Sequence, residues 1–426
     1  MIASPAFRGR RYAVLGLARS GLASVEALVA SGARVTAWDN REEARDTVAA
    51  MFPGEGRGPE SAAGLGPGLR RGTLSIADLM EIDLAGYDGV VVSPGVPLNR
   101  HPIAAKARAA GVPLIGDIEL FARARATLPP HKVVGITGTN GKSTTTALVH
   151  HILETAGVPA AMGGNIGLPI LAQDPLPQGG VYVLELSSYQ LDLTRSLDCE
   201  VAVLLNITPD HLDRYADFNA YAASKRRLFD MQSPDHVAIV GDEIAIDQSG
   251  WPALQGPHNA QNARAAIAVC EALGLAGEDI ADGLRTYPGL PHRMERVREK
   301  DGILFVNDSK ATNPDSTAPA LAAFPYIHWI VGGLAKTKGL GPCESQLGHV
   351  RAAYTIGEAG PMFARLLEGK VKVTESELLV TAVNEAAEAA APGEVVLLSP
   401  ACASFDQFRD YEARGDAFRA AVEALA

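Results

Sequence analysis

Gly138, Gly141, Lys142 and Ser143 have the residue types and spacing that hold the phosphates of a nucleotide. They lie in the run Gly135-Ile-Thr-Gly-Thr-Asn-Gly-Lys-Ser-Thr-Thr-Thr146, with the β-branched pair Val133-Val134 before it and a helix-patterned segment after it. That order builds a strand, a tight loop through Thr139 and Asn140, and a helix N-terminus. Such a loop aims several backbone N–H groups and the positive end of a helix dipole at one point. Lys142 adds a full charge for the outer phosphates, and Ser143 or Thr144 offers a hydroxyl to a magnesium ion. The general spacing asks for glycine where Ile136 stands, so an ordinary glycine-rich turn shares part of the pattern. The strand before the loop and the lysine after it favour nucleotide binding.

Further chemistry follows downstream. Val181–Glu185 is an apolar strand ending in a carboxylate, a position from which Glu185 can hold magnesium directly or through water. Val201–Leu205 is the next strand, and its end carries Asn206, Thr208, Asp210, His211 and Asp213. His211 is either a ligand or a structural hydrogen-bond partner. Asp217–Asp230 reads as a helix with Asp217 at its N-cap. Lys225 shares its apolar face with Tyr221 and Leu228. A lysine there either snorkels to water or loses solvation and becomes a neutral, reactive amine. Asn259 and Asn262, three apart at the start of an Ala-rich helix, can read an adenine edge or merely cap.

These groups need parallel sheets to position them. Tyr12–Leu15, the glycines Gly16 and Gly21 around Arg19 and Ser20, a helix to Ala30 and the strand Arg34–Asp39 form a βαβ unit. Ala18 replaces the middle glycine of the dinucleotide fingerprint, so the unit supports a nucleotide or its diphosphate with Asp39 or Asn40 near the sugar or base, without establishing NAD. A nicotinamide-dependent dehydrogenase would leave residues 135–262 without a task. Residues 53–72 are too rich in Gly and Pro for a regular element and read as a mobile loop. Asp88–Val92 is a strand running into Ser93-Pro94-Gly95, an anion-binding strand end or a plain turn. Thr127-Leu-Pro-Pro130 marks a domain boundary. Gly163–Gly167 reads as a flexible loop carrying the amide of Asn165. Beyond a second linker at Pro288–Pro291, strands at Ile303–Val306, Tyr326–Val331, Ala353–Ile356 and Val395–Leu398 end in polar or small residues, the mark of a ligand edge.

The chain has 426 residues, 47% hydrophobic and 20% charged, which suits a soluble protein of two to three domains. Thirty-eight Lys and Arg stand against 49 Asp and Glu, a net charge of −11 that disfavours nucleic acid or an anionic membrane as partner. Cys199, Cys270, Cys343 and Cys402 are far apart, as expected of free thiols in a reducing compartment. No stretch approaches the roughly 18 uninterrupted apolar residues of a membrane helix, and no secretion signal is visible. The expectation is a cytoplasmic protein.

Read together, Thr137–Ser143, Gly164-Asn-Ile-Gly167, Leu184–Ser188, Thr208–Asp213, His258-Asn-x-x-Asn262 and His292-Arg293 resemble the Mur ligases, ATP-dependent enzymes that add amino acids to the peptidoglycan precursor. Asn307–Asn313 and Leu398–Ser404 are similar to the branch that adds D-glutamate to UDP-N-acetylmuramoyl-L-alanine. The resemblance runs in order over essentially the whole chain. It implies an α/β protein of three domains: a Rossmann-like precursor-binding domain over 1–119, a central ATP-binding parallel sheet over 120–289, and a Rossmann-like D-glutamate domain over 290–426. It implies Gly16, Arg19, Ser20, Asp39, Asn40, Ser93, Pro94, Gly95, Asn165 and Ser187 for the UDP-linked precursor. Gly138 to Thr144, Asn259, Asn262, Arg293, Asp308, Lys310 and Thr312 would serve ATP. Lys336, Ser404 and Tyr411 would bind D-glutamate. Lys336 follows Leu334, where relatives often carry an acidic residue, and Tyr411 stands where Phe is expected. The resemblance further implies two magnesium ions held by Ser143, Glu185, His211 and a carbamylated Lys225, with Lys142, Glu185, His211 and Lys225 as catalytic residues. A monomer whose domains close on ligand is expected. The alternative is another Mur-type amino-acid ligase or an enzyme like folylpolyglutamate synthetase.

Overall fold

The computed structural model describes residues 1–52, 74–209, 214–242 and 244–425. The expected loop at 53–72 and the His211 position lie outside them. Among the described residues, strands alternate with helices in three sheets.

The first sheet contains β1 (Arg11–Leu15), β2 (Arg34–Trp38), β3 (Leu74–Ile76), β4 (Gly89–Val92) and β5 (Leu114–Ile115), all parallel, in the order β3-β2-β1-β4-β5. Its central strands are apolar on both faces because helices cover both sides. The strand order reverses between β1 and β4, and at that point the strand ends part to leave a crevice. Gly21 is needed beside it: a Cβ there would stand 1.8 Å from the carbonyl oxygen of Gly16, so only glycine lets the helix Arg19–Ala30 approach the turn.

The second sheet holds β6 (His131–Thr137), β7 (Ala160–Gly164), β8 (Gly180–Glu185), β9 (Val201–Leu204) and β10 (Val237–Val240), again all parallel, ordered β10-β9-β6-β8-β7. Gly163 and Gly164 therefore finish a strand, where a flexible loop was expected. The ladder to β8 holds them, and the Asn165 N–H continues it to the Glu185 carbonyl at 2.8 Å.

The third sheet holds β11 (Glu295–Lys300), β12 (Ile303–Asn307), β13 (Ile327–Gly332), β14 (Val350–Ile356), β15 (Lys372–Glu377) and β16 (Val395–Leu398), in the order β11-β12-β16-β13-β14-β15. Its edge strand β11 is antiparallel to β12. The four-strand reading of this region missed β11 and β15, whose charged sequences, Glu-Arg-Val-Arg-Glu-Lys and Lys-Val-Thr-Glu-Ser-Glu, suit sheet edges better than cores.

The described chain gathers into two compact units. Met1–Gly241 with Ala265–Ile280 contains the first two sheets, which share one core through residues such as Val14, Ile118, Phe121 and Tyr182. Asp242–Arg264 with Ala281–Ala426 contains the third sheet, with a core on each face.

Candidate active site

The helix Lys142–Thr155 starts directly after the glycine-rich loop, with Gly141 as its N-cap in the left-handed region. Gly138 has φ of 156° and packs so closely on the β9 end that a Cβ would stand 3.0 Å from Leu205 Cβ. The loop is held from β9: Thr139 N–H donates to the Asn206 carbonyl at 2.9 Å, and Asn140 N–H to Asn206 Oδ1 at 2.9 Å. Lys142 Nζ folds back onto the carbonyls of Gly138 and Thr139, at 3.0 and 2.8 Å.

Glu185 ends β8 one strand away, paired in register with Ile136. It is 2% exposed. Asn165 Nδ2 donates to its Oε1 at 2.9 Å, while Oε2 is buried without a hydrogen-bond partner. A buried carboxylate oxygen left unsatisfied is costly. A hard divalent cation with oxygen ligands satisfies it, so the residues present fit magnesium.

Lys225 does not snorkel. It lies on the helix Phe218–Asp230, is 2% exposed, donates to the Gly138 carbonyl at 2.8 Å and sits 4.8 Å from the Tyr221 ring centroid. Its amine thus touches the phosphate loop itself.

The switch point of the first sheet opens into a cleft of about 390 Å³. Gly16, Arg19, Ser20, Asp39, Ser93, Pro94, Gly95 and Asn165 all line it, with Gln190 and Gly167. Asn40 and Ser187 do not. Asn40 is exposed, and Ser187 is the N-cap of the helix Ser188–Asp192, in a reciprocal capping box with Gln190. Ser93 Oγ donates to the Gly16 carbonyl at 2.7 Å, joining two walls of the cleft. Arg19 reaches across to the Gly167 carbonyl. Burial alone would raise the Asp39 carboxyl, but hydrogen bonds from Arg41 and the Leu17 N–H outweigh it and hold the group below its ordinary range.

In the second unit, Asp308, Lys310, Thr312, Lys336, Ser404 and Tyr411 gather around the carboxyl ends of β12, β13 and β16. Lys336 Nζ donates to Thr312 Oγ1 at 3.1 Å, and Lys310 Nζ lies 3.7 Å from the Tyr411 ring centroid. Asp308 accepts from Ser399 Oγ at 2.8 Å and from Met294 N at 3.2 Å, and burial pushes its carboxyl up to about 7. His292 and Met294, on either side of Arg293, both have positive φ, a strained geometry that the Asp308 bond helps to hold. Leu334 exchanges backbone hydrogen bonds with Ala403 at 2.9 and 3.0 Å. Its departure from an acidic side chain therefore leaves the Lys336 loop tied beside Ser404. Asn259 and Asn262 also belong to this unit, bonded to each other at 3.1 Å. Burial pushes the neighbouring His258 down to about 4.

Sequence reasoning missed three groups. Arg414, 1% exposed, reaches from the helix Tyr411–Glu423 to Ser309 Oγ and carbonyl (3.0 and 2.8 Å), the Cys402 carbonyl (3.0 Å) and the Ala403 carbonyl (3.3 Å). Its signal was present: Arg414 stands at four-residue spacing from Phe418 and Val422 on one helical face. Asp117 is buried beside Ser20 and Gln190, and burial pushes its carboxyl up to about 6. Arg214 bridges to the Ser93–Val96 loop. Neither of the last two had a periodic signal.

A phosphate loop, a partly unsatisfied carboxylate beside it and an adjoining cleft are the parts of a phosphoryl-transfer site. Residues 136–250 match the family model for the Mur ligase middle domain, and residues 292–402 match that for the Mur ligase, glutamate ligase domain. The UDP-N-acetylmuramoylalanine–D-glutamate ligase of Novosphingobium aromaticivorans is 61% identical across all of this chain and 97% of its own length. The chain belongs to the Mur ligase family. Its similarity to the enzyme of the same name from Zymomonas mobilis is 56% identity, covering 100% of both chains. Among solved Mur ligase structures, the UDP-N-acetylmuramate–alanine ligase of Thermotoga maritima shares the fold at a TM-score of 0.57, with 16% identity and coverage of 97% of this chain and 99% of that one. The MurF ligase of the same organism, solved with ADP, also gives 0.57 at 16% identity, covering 98% and 96%. No helix among the described residues of this Mur ligase is long and apolar enough to cross a membrane.

Proposed function

We infer that this chain is an ATP-dependent amide-forming ligase that joins D-glutamate to UDP-N-acetylmuramoyl-L-alanine, a step of peptidoglycan precursor synthesis. The observation that carries the reading is the position of Asn165. It lines the cleft at the switch point and bonds Glu185 beside the phosphate loop, so acceptor and phosphate donor share one intermediary. Full-length identity of 56–61% to D-glutamate ligases supports the same reading and disfavours a folylpolyglutamate synthetase or another Mur-type ligase.

The first-sheet cleft is assigned to the precursor, the phosphate loop with Asn259, Asn262, Arg293, Asp308, Lys310 and Thr312 to ATP, and Lys336, Ser404 and Tyr411 to D-glutamate. An oxygen of the L-alanine carboxylate attacks the γ-phosphorus of ATP. The bond from that phosphorus to the bridging oxygen breaks, leaving ADP and an acyl phosphate. Lys142 turns from the Gly138 and Thr139 carbonyls to the transferring phosphoryl group and offsets its charge, while the N–H groups at the start of the helix Lys142–Thr155 hold the β-phosphate. The D-glutamate amine then attacks the acyl carbon, the carbon–oxygen bond to phosphate breaks, and the amine sheds a proton. Ser143, Glu185, His211 and a carbamate on Lys225 would hold two magnesium ions, which would supply further charge neutralisation. The carbamate forms when the Lys225 amine, as its free base, adds carbon dioxide and loses a proton. The same reading has the enzyme working as a cytoplasmic monomer.

Phosphate release measured with UDP-N-acetylmuramoyl-L-alanine and a panel of amino acids tests the assignment. D-glutamate is expected to be preferred, and preference for any other amino acid would overturn it.

A further inference from the structure

One continuous set of contacts runs from the cleft to the phosphate loop through residues that the reaction above does not use. It begins at Arg214. The guanidinium lies 4.3 Å from the Tyr189 ring centroid, and its Nη2 faces the Pro94 and Val96 carbonyls at 3.4 and 3.3 Å. Those carbonyls belong to the loop whose Ser93 hydroxyl holds the Gly16 carbonyl. On its other side the contact continues through aromatic rings. Tyr189 stacks on Tyr215, with centroids 6.1 Å apart and planes at 11°, and Tyr215 meets Tyr221 at 5.4 Å and 60°. The Tyr221 hydroxyl shares a hydrogen bond with Thr139 Oγ1 at 3.1 Å, and its ring carries the Lys225 amine. Tyr215 is pinned in the middle of the stack by Asp192 at 2.8 Å and by Ser224 at 3.4 Å.

Arginine suits the first position because one planar group can stack on a ring and aim an edge at two carbonyls, which a lysine ammonium does not do. Rings packed in series transmit a displacement when each is held by its neighbours. Here the two ends are a wall of the cleft and the residue that sits between Gly138 and Asn140.

We propose that Arg214 is a positioning residue that fixes the Ser93–Val96 loop, and that the Tyr189–Tyr215–Tyr221 stack couples this loop to the phosphate loop, so that precursor and ATP each bind more tightly when the other is present. The inference rests on the assignment of the cleft to the precursor. Coupling of this kind is reciprocal and is established by measurement of both ligands, not by contiguity alone.

Calorimetric titration of UDP-N-acetylmuramoyl-L-alanine into the full-length protein, with and without a non-hydrolysable ATP analogue, tests it. In the wild type the analogue tightens precursor binding by about fivefold or more, and Arg214→Gln reduces that factor to below about twofold. In steady-state assays Arg214→Gln raises KM for the precursor about tenfold, lowers kcat less than about threefold and leaves KM for D-glutamate within about twofold, the pattern of lost binding rather than lost chemistry. Arg214→Lys keeps the charge without the stack and loses the coupling too. Should Arg214→Gln melt early, Tyr189→Leu, which cuts the next contact, must show the same loss of coupling. Absence of coupling in the wild type, or its survival in both Arg214→Gln and Tyr189→Leu, overturns the proposal. A wild-type protein that binds no precursor in either titration overturns the cleft assignment, and the proposal with it.

Discussion

Asn165 donates its amide to Glu185 Oε1 at 2.9 Å and leaves the second carboxylate oxygen, Oε2, buried with no hydrogen-bond partner. One residue lining the switch-point cleft thus orients a carboxylate on β8, the strand beside the one that leads into the phosphate loop.

Glu185→Gln keeps the bond from Asn165 and removes the buried charge. Activity is expected to fall about a hundredfold or more, since the proposed magnesium ligand that would bring positive charge to the transferring phosphoryl group loses its own charge. Thermal melting of the variant is expected to stay level or rise, because an uncompensated buried carboxylate disappears. A lower melting temperature together with retained phosphate release would contradict the role given to Oε2.

Lys225→Ala is expected to be nearly inactive and partly restored by short carboxylic acids, which occupy the space of the proposed carbamate. Phosphate release with and without added acetate or propionate reads this out. Full activity of the variant without rescue would count against a carbamate.

Two buried carboxyls set a pH dependence of folding. Burial raises Asp117 to about 6 and Asp308 to about 7, from the 3.8 of an ordinary aspartate. Each therefore holds a proton more tightly in the folded state, and its contribution, complete below the unfolded value, is lost as pH rises through the folded one. Denaturant unfolding should show stability falling between pH about 4 and 7 by on the order of a few kcal/mol. Asp308→Asn should flatten most of that slope. An unchanged slope would mean that Asp308 is ionised throughout.

Arg414 joins the β12 and β16 loops through the Ser309, Cys402 and Ala403 carbonyls. Arg414→Met should destabilise the protein by about 3 kcal/mol, the cost of buried acceptors losing their donor, lessened by removal of a buried cation. KM for D-glutamate should rise at least about tenfold, because Ser404 adjoins this loop. Arg414→Lys should rescue neither effect, as one ammonium cannot reach both loops. Rescue by lysine would show that charge alone matters.

Most of the central parallel strands were legible because each is a short apolar run ending in glycine or a polar residue, as Val181–Glu185 and Val201–Leu205 illustrate, whereas the parallel strands β3, β7, β10 and β15 were not read. The phosphate loop was legible because strand, glycines and lysine fall within one local stretch. Lys225 was half legible: helical spacing placed it on an apolar face, but only the tertiary packing brings it against Gly138. What stayed hidden depends on distant partners. Nothing local marks Arg214 as the neighbour of Pro94, and Asp117 is unusual only because Ser20 and Gln190 stand beside it. The edge strands β11 and β15 were hidden for another reason, since charged residues protect an edge at the expense of strand signal.

The second compact unit is discontinuous in sequence, since Asp242–Arg264 belongs with Ala281–Ala426 although Ala265–Ile280 returns to the first. During synthesis the early piece leaves the ribosome well before its partner exists, by roughly 8–30 s at about 5–20 residues per second. Through that interval Asn259 and Asn262 wait in a segment without its core, a natural moment for chaperone binding. For the same reason a single cut between the second and third sheets divides one folding unit, so the halves should be soluble together before they are soluble apart.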